Sequence, residues 1–348
     1  MLEPEERKRY SRQILVPEWG MRGQEKVKAA KILVVGAGGL GCPVLQYLAA
    51  AGVGEIGIID DDLVDMTNLH RQILYSSADI GKSKALTAVE RLSVSNPFVR
   101  LKAYTERLTD QNAREIVSGY DLIVDGSDNF PTRYLVNDIC VELNKPFVFG
   151  SILRFEGQVS VFNYKNGPTY RCLFPDTSEE DNCAEAGVIG ILPGMIGTYM
   201  ANEALKIVSG VGEPLSGKLL VINALTNTTS TFQFSRIAFS SPPLTESIQI
   251  PKPADPVIQE ITWEEFENLQ QANPDQIELI DVREYYEFEA DNFGGQNIPL
   301  SEIPETISLF PAGNTIVFYC NSGIRSQKAA KLLIDSGFYG KSFWGKGW

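Results

Sequence analysis

Histidine is almost missing: His70 is the only one in 348 residues. A Ser-His-Asp or Cys-His mechanism therefore has a single residue to rest on, and His70 reads as a loop residue beside Arg71. Basic residues are also short, 31 Lys and Arg against 44 Asp and Glu, for a net charge of −13. Phosphate backbones need basic surface, so nucleic acid is excluded as the main ligand. A nucleotide is not, because it needs only a local positive pocket, and the general acidity serves solubility. Cysteine is sparse and odd in number: Cys42, Cys140, Cys172, Cys183 and Cys320. Their irregular spacing makes no disulfide framework, so each is core filler, metal ligand or nucleophile. No apolar run reaches 18 residues. The segment Val188 to Met200 is broken by Pro193 and three glycines and reads as buried loop and helix, with no membrane span expected. The highly charged Met1–Tyr10 does not read as a signal peptide, and a cytoplasmic location is expected.

What is present is organised around Ile32-Leu-Val-Val-Gly-Ala-Gly-Gly-Leu-Gly41. Ile32–Val35 is the short, continuous, β-branched run of a buried parallel strand. Gly36, Gly38 and Gly41 follow in G-x-G-x-x-G spacing, for a tight turn, close approach of backbone N–H groups to a phosphate, and close helix packing. The spacing predicts a helix over about 40–51 with its positive end toward the phosphates. A second strand, Glu55–Ile59, ends at Asp60, at the distance of a ribose-binding carboxylate. The motif does not say which nucleotide, and a dinucleotide oxidoreductase stays open on this evidence.

The length predicts two domains. Alternating strands and helices run to about residue 150: a helix from Lys84 to about Val94, a strand over 101–105, a helix capped by Asp110, a strand over 121–125, a helix over 131–142 and a strand over 146–150. Antiparallel-type alternation begins at Gln158, residues 192–209 read as a helix, and 219–223 with 230–234 as a hairpin-like pair. Residues 240–258 carry five prolines and read as a linker. A small α/β unit then restarts, with Thr262 and Glu265 as a capping box, strands at 277–280 and 315–319, and a helix from Ser326. The expected domains are 1–239, the linker 240–258, and 259–348. The fold class is α/β, a doubly wound Rossmann-like domain plus a small second α/β domain.

Polar groups cluster at the strand ends of the first domain. Asp60, Asn68, Arg71, Lys84 and Asp128 fall just past strands or at loop edges. Arg71 and Lys84 are the cations a triphosphate needs, and Asp128 is a hard oxygen ligand suited to Mg²⁺.

Arg9-Tyr-Ser-Arg-Gln-Ile14, the glycine loop with Gly39, Cys42 and Pro43, Asn68-Leu69-His70-Arg71-Gln72, Gly81-Lys-Ser-Lys84 and Asp125-Gly-Ser-Asp128-Asn129 resemble, in order and spacing, the E1-type activating enzymes of molybdopterin and thiamin biosynthesis (the MoeB/ThiF family). The likeness covers about residues 5–235. It implies ATP with Mg²⁺, and adenylation of the C-terminal Gly-Gly of a ubiquitin-like sulfur carrier such as MoaD, ThiS or a Urm1-like protein. It also implies a nucleotide site from Gly36 to Gly41, Asp60, the Thr67–Arg71 loop, Lys84, Asp128 and Asn129. Within it Arg71 contacts phosphate, Lys84 stabilises the transition state, Asp128 ligates Mg²⁺, and Arg12 is lent by the partner of a homodimer. Cys183 matches the family's crossover cysteine. The family binds structural zinc through two C-x-x-C pairs. Here Thr169-Tyr-Arg-Cys172 keeps one position of the first pair and residues 221–240 have no cysteine, so zinc is expected to be absent.

Residues 259–348 resemble a rhodanese domain through Asp281-Val-Arg-Glu284, Asn297-Ile-Pro-Leu300 and the loop Cys320–Arg325. A cysteine between a strand end and a helix start sees converging N–H groups that stabilise a thiolate or persulfide. The expected function is carrier adenylation, then sulfur transfer from Cys320 to give a carrier thiocarboxylate. The sulfur comes from thiosulfate or a cysteine-desulfurase persulfide. Two other classes are weighed against it. An NAD-dependent oxidoreductase with a regulatory rhodanese module fits the Arg71/Lys84 cluster poorly, and a non-catalytic ATP-binding partner protein leaves Lys84, Asp128 and Cys320 without a use.

Overall fold

The computed structural model describes residues 1–175, 187–237, 259–272, 276–306, 310–311, 314–335 and 341–346. The chain separates into two compact units, Met1–Pro242 and Pro243–Trp348. The expected proline-rich linker lies outside the described residues.

The first unit is built on eight strands: β1 (Lys31–Val35), β2 (Glu55–Ile59), β3 (Arg100–Tyr104), β4 (Leu122–Asp125), β5 (Phe147–Leu153), β6 (Glu156–Phe162), β7 (Lys218–Asn223) and β8 (Thr228–Gln233). Their order is β3-β2-β1-β4-β5-β6-β7-β8. The pairs from β3 to β5 are parallel, and those from β5 to β8 are antiparallel. The change of period at Gln158 thus marks a real change of strand direction. Apolar residues on both sides of the parallel strands serve two separate cores. Ile32 and Val34 pack with Cys42, Leu45 and Leu48 on one face. Leu33 and Val35 pack with Val136 and Cys140 on the other. Cys42 and Cys140 are therefore core residues, and burial pushes the Cys42 thiol up to about 12 and that of Cys140 up as well.

The order reverses between β1 and β4, the switch point where open sheets of this type bind ligands. The turn after β1 is closed by contact: Gly36 has φ +87°, and a Cβ on Gly41 would lie 2.0 Å from the Gly36 carbonyl oxygen. The helix Gly41–Ala51 starts at that contact and ends on left-handed Gly52. A second helix, Leu192–Ser209, matches its expected bounds. It packs on the first through Gly197, where a Cβ would meet Pro43 Cγ at 2.4 Å, and sets Pro193 against Gly39. One boundary differs. The helix expected after Asp110 runs Ala113–Ser118 with Asn112 as its N-cap residue, because the Asn112 carboxamide oxygen already accepts the Thr109 N–H at 2.8 Å and fixes the turn there.

Near Cys172, an aromatic cluster of Phe149, Phe162, Tyr170, Phe174 and Phe234 fills the far core. The Cys172 sulfur accepts N–H groups from Thr169 and Ile237, both at 3.4 Å, and lies 3.3 Å from the Thr169 hydroxyl. A sulfur engaged by neighbouring backbone in this way ties the end of the β8 segment to the helix Tyr170–Leu173.

The second unit carries a parallel five-stranded sheet of β9 (Gln259–Glu260), β10 (Ile277–Asp281), β11 (Gln296–Asn297), β12 (Thr315–Cys320) and β13 (Lys341–Lys346) in the order β11-β10-β12-β13-β9. The Thr262/Glu265 capping box forms as expected, with reciprocal bonds of 3.3 and 2.8 Å. The helix after Cys320 begins at Ile324, two residues before the expected Ser326, and runs to Asp335. Among the described residues, no helix is long and apolar enough to cross a membrane.

The layered core has a stability consequence. Phe162→Ala removes a ring buried among four others and is expected to cost about 3–5 kcal/mol, whereas Val94→Ala, 85% exposed in the native chain, costs less than about 0.5 kcal/mol. Urea unfolding of the two variants reads the difference, and equal midpoints would contradict the assignment of Phe162 to the core.

Candidate active site

Loops from the carboxyl ends of β1, β2 and β4 enclose a cavity of about 520 Å³, within the range that holds a nucleotide-sized ligand. Gly36, Gly38 and Gly39 line it. A Cβ on Gly38 would meet nothing nearer than Gln72 Nε2 at 3.5 Å, so packing within the fold does not require a glycine there.

The charged residues take up defined positions. Asp60, at the end of β2, accepts the Ala37 N–H at 2.7 Å and the Asp62 N–H at 2.9 Å. Burial raises its pKa, and these N–H groups and Lys84 oppose the rise. Arg71 is braced within its own loop, donating to Asn68 Oδ1 at 2.8 Å and to the Thr67 carbonyl at 3.1 Å. His70 lies beside it, 3.4 Å from Nη1. Thr67 instead donates its hydroxyl to Asp65, and Leu69 packs against the core. These two and Gly41 are expected site residues that do not line the cavity. Asp128 is exposed on the rim, with Asn129 Nδ2 3.4 Å from its Oδ1. Asn129 caps the helix Phe130–Glu142 through the Thr132 N–H at 3.0 Å. Arg12 is exposed on the short helix Ser11–Ile14 and is not part of the lining. Cys183 lies outside the described residues.

Lys84 is the most constrained charge. Its side chain is only 5% exposed, and its Nζ lies 2.7 Å from Oδ2 of Asp62, which is 67% exposed. The pairing arises from backbone: residues 62–64 run antiparallel to 81–84, through Lys84 N to Asp62 O at 3.0 Å and Val64 N to Lys82 O at 2.8 Å. Asp62 was not expected in the site; it lies past the end of β2, where its N–H turns back onto Asp60 Oδ1 at 2.9 Å.

Arg133 is a second residue missed from sequence. It is 4% exposed, sits over the rings of Phe130 and Phe149 at 5.4 Å and donates to the Ser127 carbonyl at 3.2 Å. It thereby braces the turn that presents Asp128. Its position four residues after Asn129, one helical turn on, is the only signal the sequence offers. Asp125, beneath that turn, is fully buried. Burial raises its pKa against the Arg133 charge and the Ser127 N–H. Gln72 Oε1, Asp125 Oδ2, Ser127 Oγ and Arg133 Nε are buried without a protein partner among the described residues.

In the second unit, Cys320 is the last residue of β12 and 2% exposed. Its sulfur accepts the Ser326 N–H at 3.4 Å, in the first turn of the helix that follows. Gly323, with φ +85°, makes the turn between them. Arg283 holds the loop from the side: it donates to Asn321 Oδ1 at 2.9 Å while paired with Asp281, its shortest bond there 2.6 Å. Arg325 is held by both oxygens of Glu287, at 2.6 and 2.9 Å.

Among the described residues, no three His, Cys, Asp or Glu side chains are grouped to hold a metal ion. The carboxylate of Asp128 offers a hard oxygen at the cavity rim, and those of Asp61, Asp62 and Glu106 line the same cavity.

Comparison with known proteins gives two family matches: the ThiF family over residues 10–241 and the rhodanese-like domain over 262–347. The chain is 42% identical over 357 residues to the probable adenylyltransferase/sulfurtransferase MoeZ of Mycobacterium tuberculosis, covering 97% of this chain and 90% of that one. It is 56% identical over 229 residues to the sulfur carrier protein adenylyltransferase of Thermus thermophilus, covering 64% and 84%. It is 38% identical over 365 residues to the adenylyltransferase and sulfurtransferase MOCS3-1 of Zea mays, covering 95% and 78%. Among solved structures, E. coli MccB with MccA-N7isoASN superposes with a TM-score of 0.61 at 25% identity, over 68% of this chain and 74% of that one.

The asymmetry of the Lys84–Asp62 pair predicts unequal costs in the nucleotide-free protein. Asp62→Ala leaves an ammonium in a buried position and is expected to destabilise by about 1–3 kcal/mol. Lys84→Met leaves a solvated carboxylate and costs under about 1 kcal/mol. Thermal unfolding decides, and the reverse order would mean that Asp62 does not hold Lys84.

Proposed function

The chain belongs to the ThiF family and carries a rhodanese-like domain after it, and from that premise we propose that it adenylates the C-terminal Gly-Gly of a ubiquitin-like sulfur carrier with ATP and then converts the adenylate to a thiocarboxylate. The observation that carries this reading is Lys84, a buried cation at the edge of a glycine-lined cavity, held by a carboxylate that solvent can reach.

In the first stage, an oxygen of the carrier's terminal carboxylate attacks the α-phosphorus. The bond to pyrophosphate breaks, and the pyrophosphate leaves with the electron pair. The carboxylate is ionised at neutral pH, so no general base is required. Catalysis is positioning and neutralisation of charge. Asp60 takes the ribose, the glycine loop and the start of the helix Gly41–Ala51 take phosphate oxygens, and Arg71 and Lys84 meet the charge that moves toward pyrophosphate. Asp128 is suited to hold Mg²⁺, whose chemistry is to neutralise phosphate oxygens. Asn129 and Arg133 keep that carboxylate at the rim. Arg12, in a homodimer, reaches the site of the partner subunit.

In the second stage the persulfide of Cys320 attacks the acyl carbon and AMP leaves, giving an acyl disulfide. The Cys183 thiolate then attacks the Cys320 sulfur and releases the carrier thiocarboxylate. The resulting disulfide is reduced by an external thiol. Joining donor and activating unit in one chain raises the local concentration of sulfur at the adenylate.

ATP–pyrophosphate exchange with a panel of Gly-Gly carriers tests the first stage. Lys84→Ala is expected to lower carrier-dependent exchange by about 10²–10³-fold. Absence of exchange with every carrier would remove the reading. Cys320→Ala is expected to keep exchange at the native rate and lose thiocarboxylate formation, measured by mass of the carrier, and loss of both together would refute the division of labour between the units.

A further inference from the structure

The two guanidinium groups that approach the Cys320 loop are both engaged by carboxylates. Arg283 is spent on Asp281, buried and at 2.6 Å, and on Asn321 and the Asp291 carbonyl. Arg325, the cation next to the cysteine in the loop itself, is gripped from both sides by Glu287 at 2.6 and 2.9 Å, in a geometry that fixes the plane of the guanidinium. Both partners of this pair are three-quarters or more buried. Glu287 is itself anchored, accepting the Glu284 N–H at 3.0 Å at the start of the helix Tyr285–Ala290. Glu284, the exposed residue before that helix, adds a further negative charge that Arg325 feels.

Sulfur loading of Cys320 is a two-electron exchange. The thiolate attacks the sulfane sulfur of a donor, a new S–S bond forms, and the donor's S–S bond breaks. From thiosulfate the leaving group is sulfite, which departs with the electron pair and a double negative charge. From a persulfide it is a thiolate with a single charge, which solvent protonates. A dianionic donor and leaving group need an available cation beside the loop, and a persulfide needs much less.

We propose that Glu287 is a specificity-determining residue of the sulfur-transfer site: by occupying Arg325 it withholds the loop's cation from anionic donors and selects a persulfide over free thiosulfate. This rests on the sulfur-transfer reading above and deepens it. The electrostatics agree, since the Arg325 charge holds the Glu287 carboxyl below the usual carboxylate range, while Arg325 also feels the charge of Cys320. The guanidinium that Glu287 holds is therefore one whose charge already interacts with that of Cys320.

The test uses the full chain, with thiosulfate and glutathione persulfide as donors, cyanide as acceptor and thiocyanate as product. Gain of one sulfur atom on Cys320 is followed by mass. Glu287→Gln keeps the helix-capping bond, which glutamine also makes, and frees the arginine. It is expected to raise kcat/KM for thiosulfate by about 10-fold or more, with the gain shrinking as salt is added, and to leave the persulfide route within about threefold. Adding Arg325→Gln to that variant is expected to cancel the gain. Equal gains with both donors, no gain with thiosulfate, or native protein that already uses thiosulfate as efficiently as persulfide would each overturn the proposal. If native Cys320 gains sulfur from neither donor, the sulfur-transfer reading itself falls, and the proposal with it.

Discussion

A single steric contact underlies the larger unit. The helix after β1 can begin where it does only because position 41 has no side chain, since a Cβ there would lie 2.0 Å from the Gly36 carbonyl oxygen. With that contact closed, the helix start, the end of β2 with Asp60 and the turn after β4 with Asp128 all face the same space. The switch in strand order makes room between β1 and β4, and the glycines leave the backbone there uncovered by side chains. Asp60 and Asp128, at the ends of β2 and β4, derive their positions from this arrangement.

Both sites keep their key cation in a pair with a carboxylate. Lys84 has Asp62, and Arg325 has Glu287. The pairs differ in which partner is exposed. Asp62 is largely in solvent, so a phosphate that displaces it leaves behind a carboxylate that water can satisfy. Glu287 is mostly buried and bonded to backbone, so releasing Arg325 strands a charge in a low-dielectric setting at high cost. The first pair is thus built to exchange partners and the second to stay closed. On the proposed reading, the same ion-pair chemistry gives a reagent in one unit and a filter in the other.

Much of this was legible in the sequence because the relevant signals are local. The strand periodicity, the glycine spacing, the Thr262/Glu265 capping box and the helix at 192–209 each depend on residues within a few positions of one another, and each appears where expected. The residues that escaped depend on pairings between distant segments. Asp62 meets Lys84 only because two loops run antiparallel, and Glu287 meets Arg325 from 38 residues away. Arg133 looks like an ordinary helix charge until Phe130 and Phe149 stack on it. The helix after residue 110 started later than expected because Asn112, and not Asp110, had the hydrogen bond that ends the preceding turn.

The helix Leu192–Ser209 sets a timetable for the site. Pro193 rests on Gly39, Gly197 on Pro43 and the Leu40 carbonyl, and Gly190 on the His70 carbonyl, so the glycine loop and the arginine loop are clamped by chain that is made much later. At about 5–20 residues per second, the roughly 150 residues between Gly39 and Pro193 take on the order of 10 s to synthesise. During that interval on the ribosome, β1 and its helix exist without the surface that holds their loop in shape. The same helix supplies Leu192, Ile196 and Met200 to the core beneath β1, so core and loop are completed together, and both wait until the first unit nears completion.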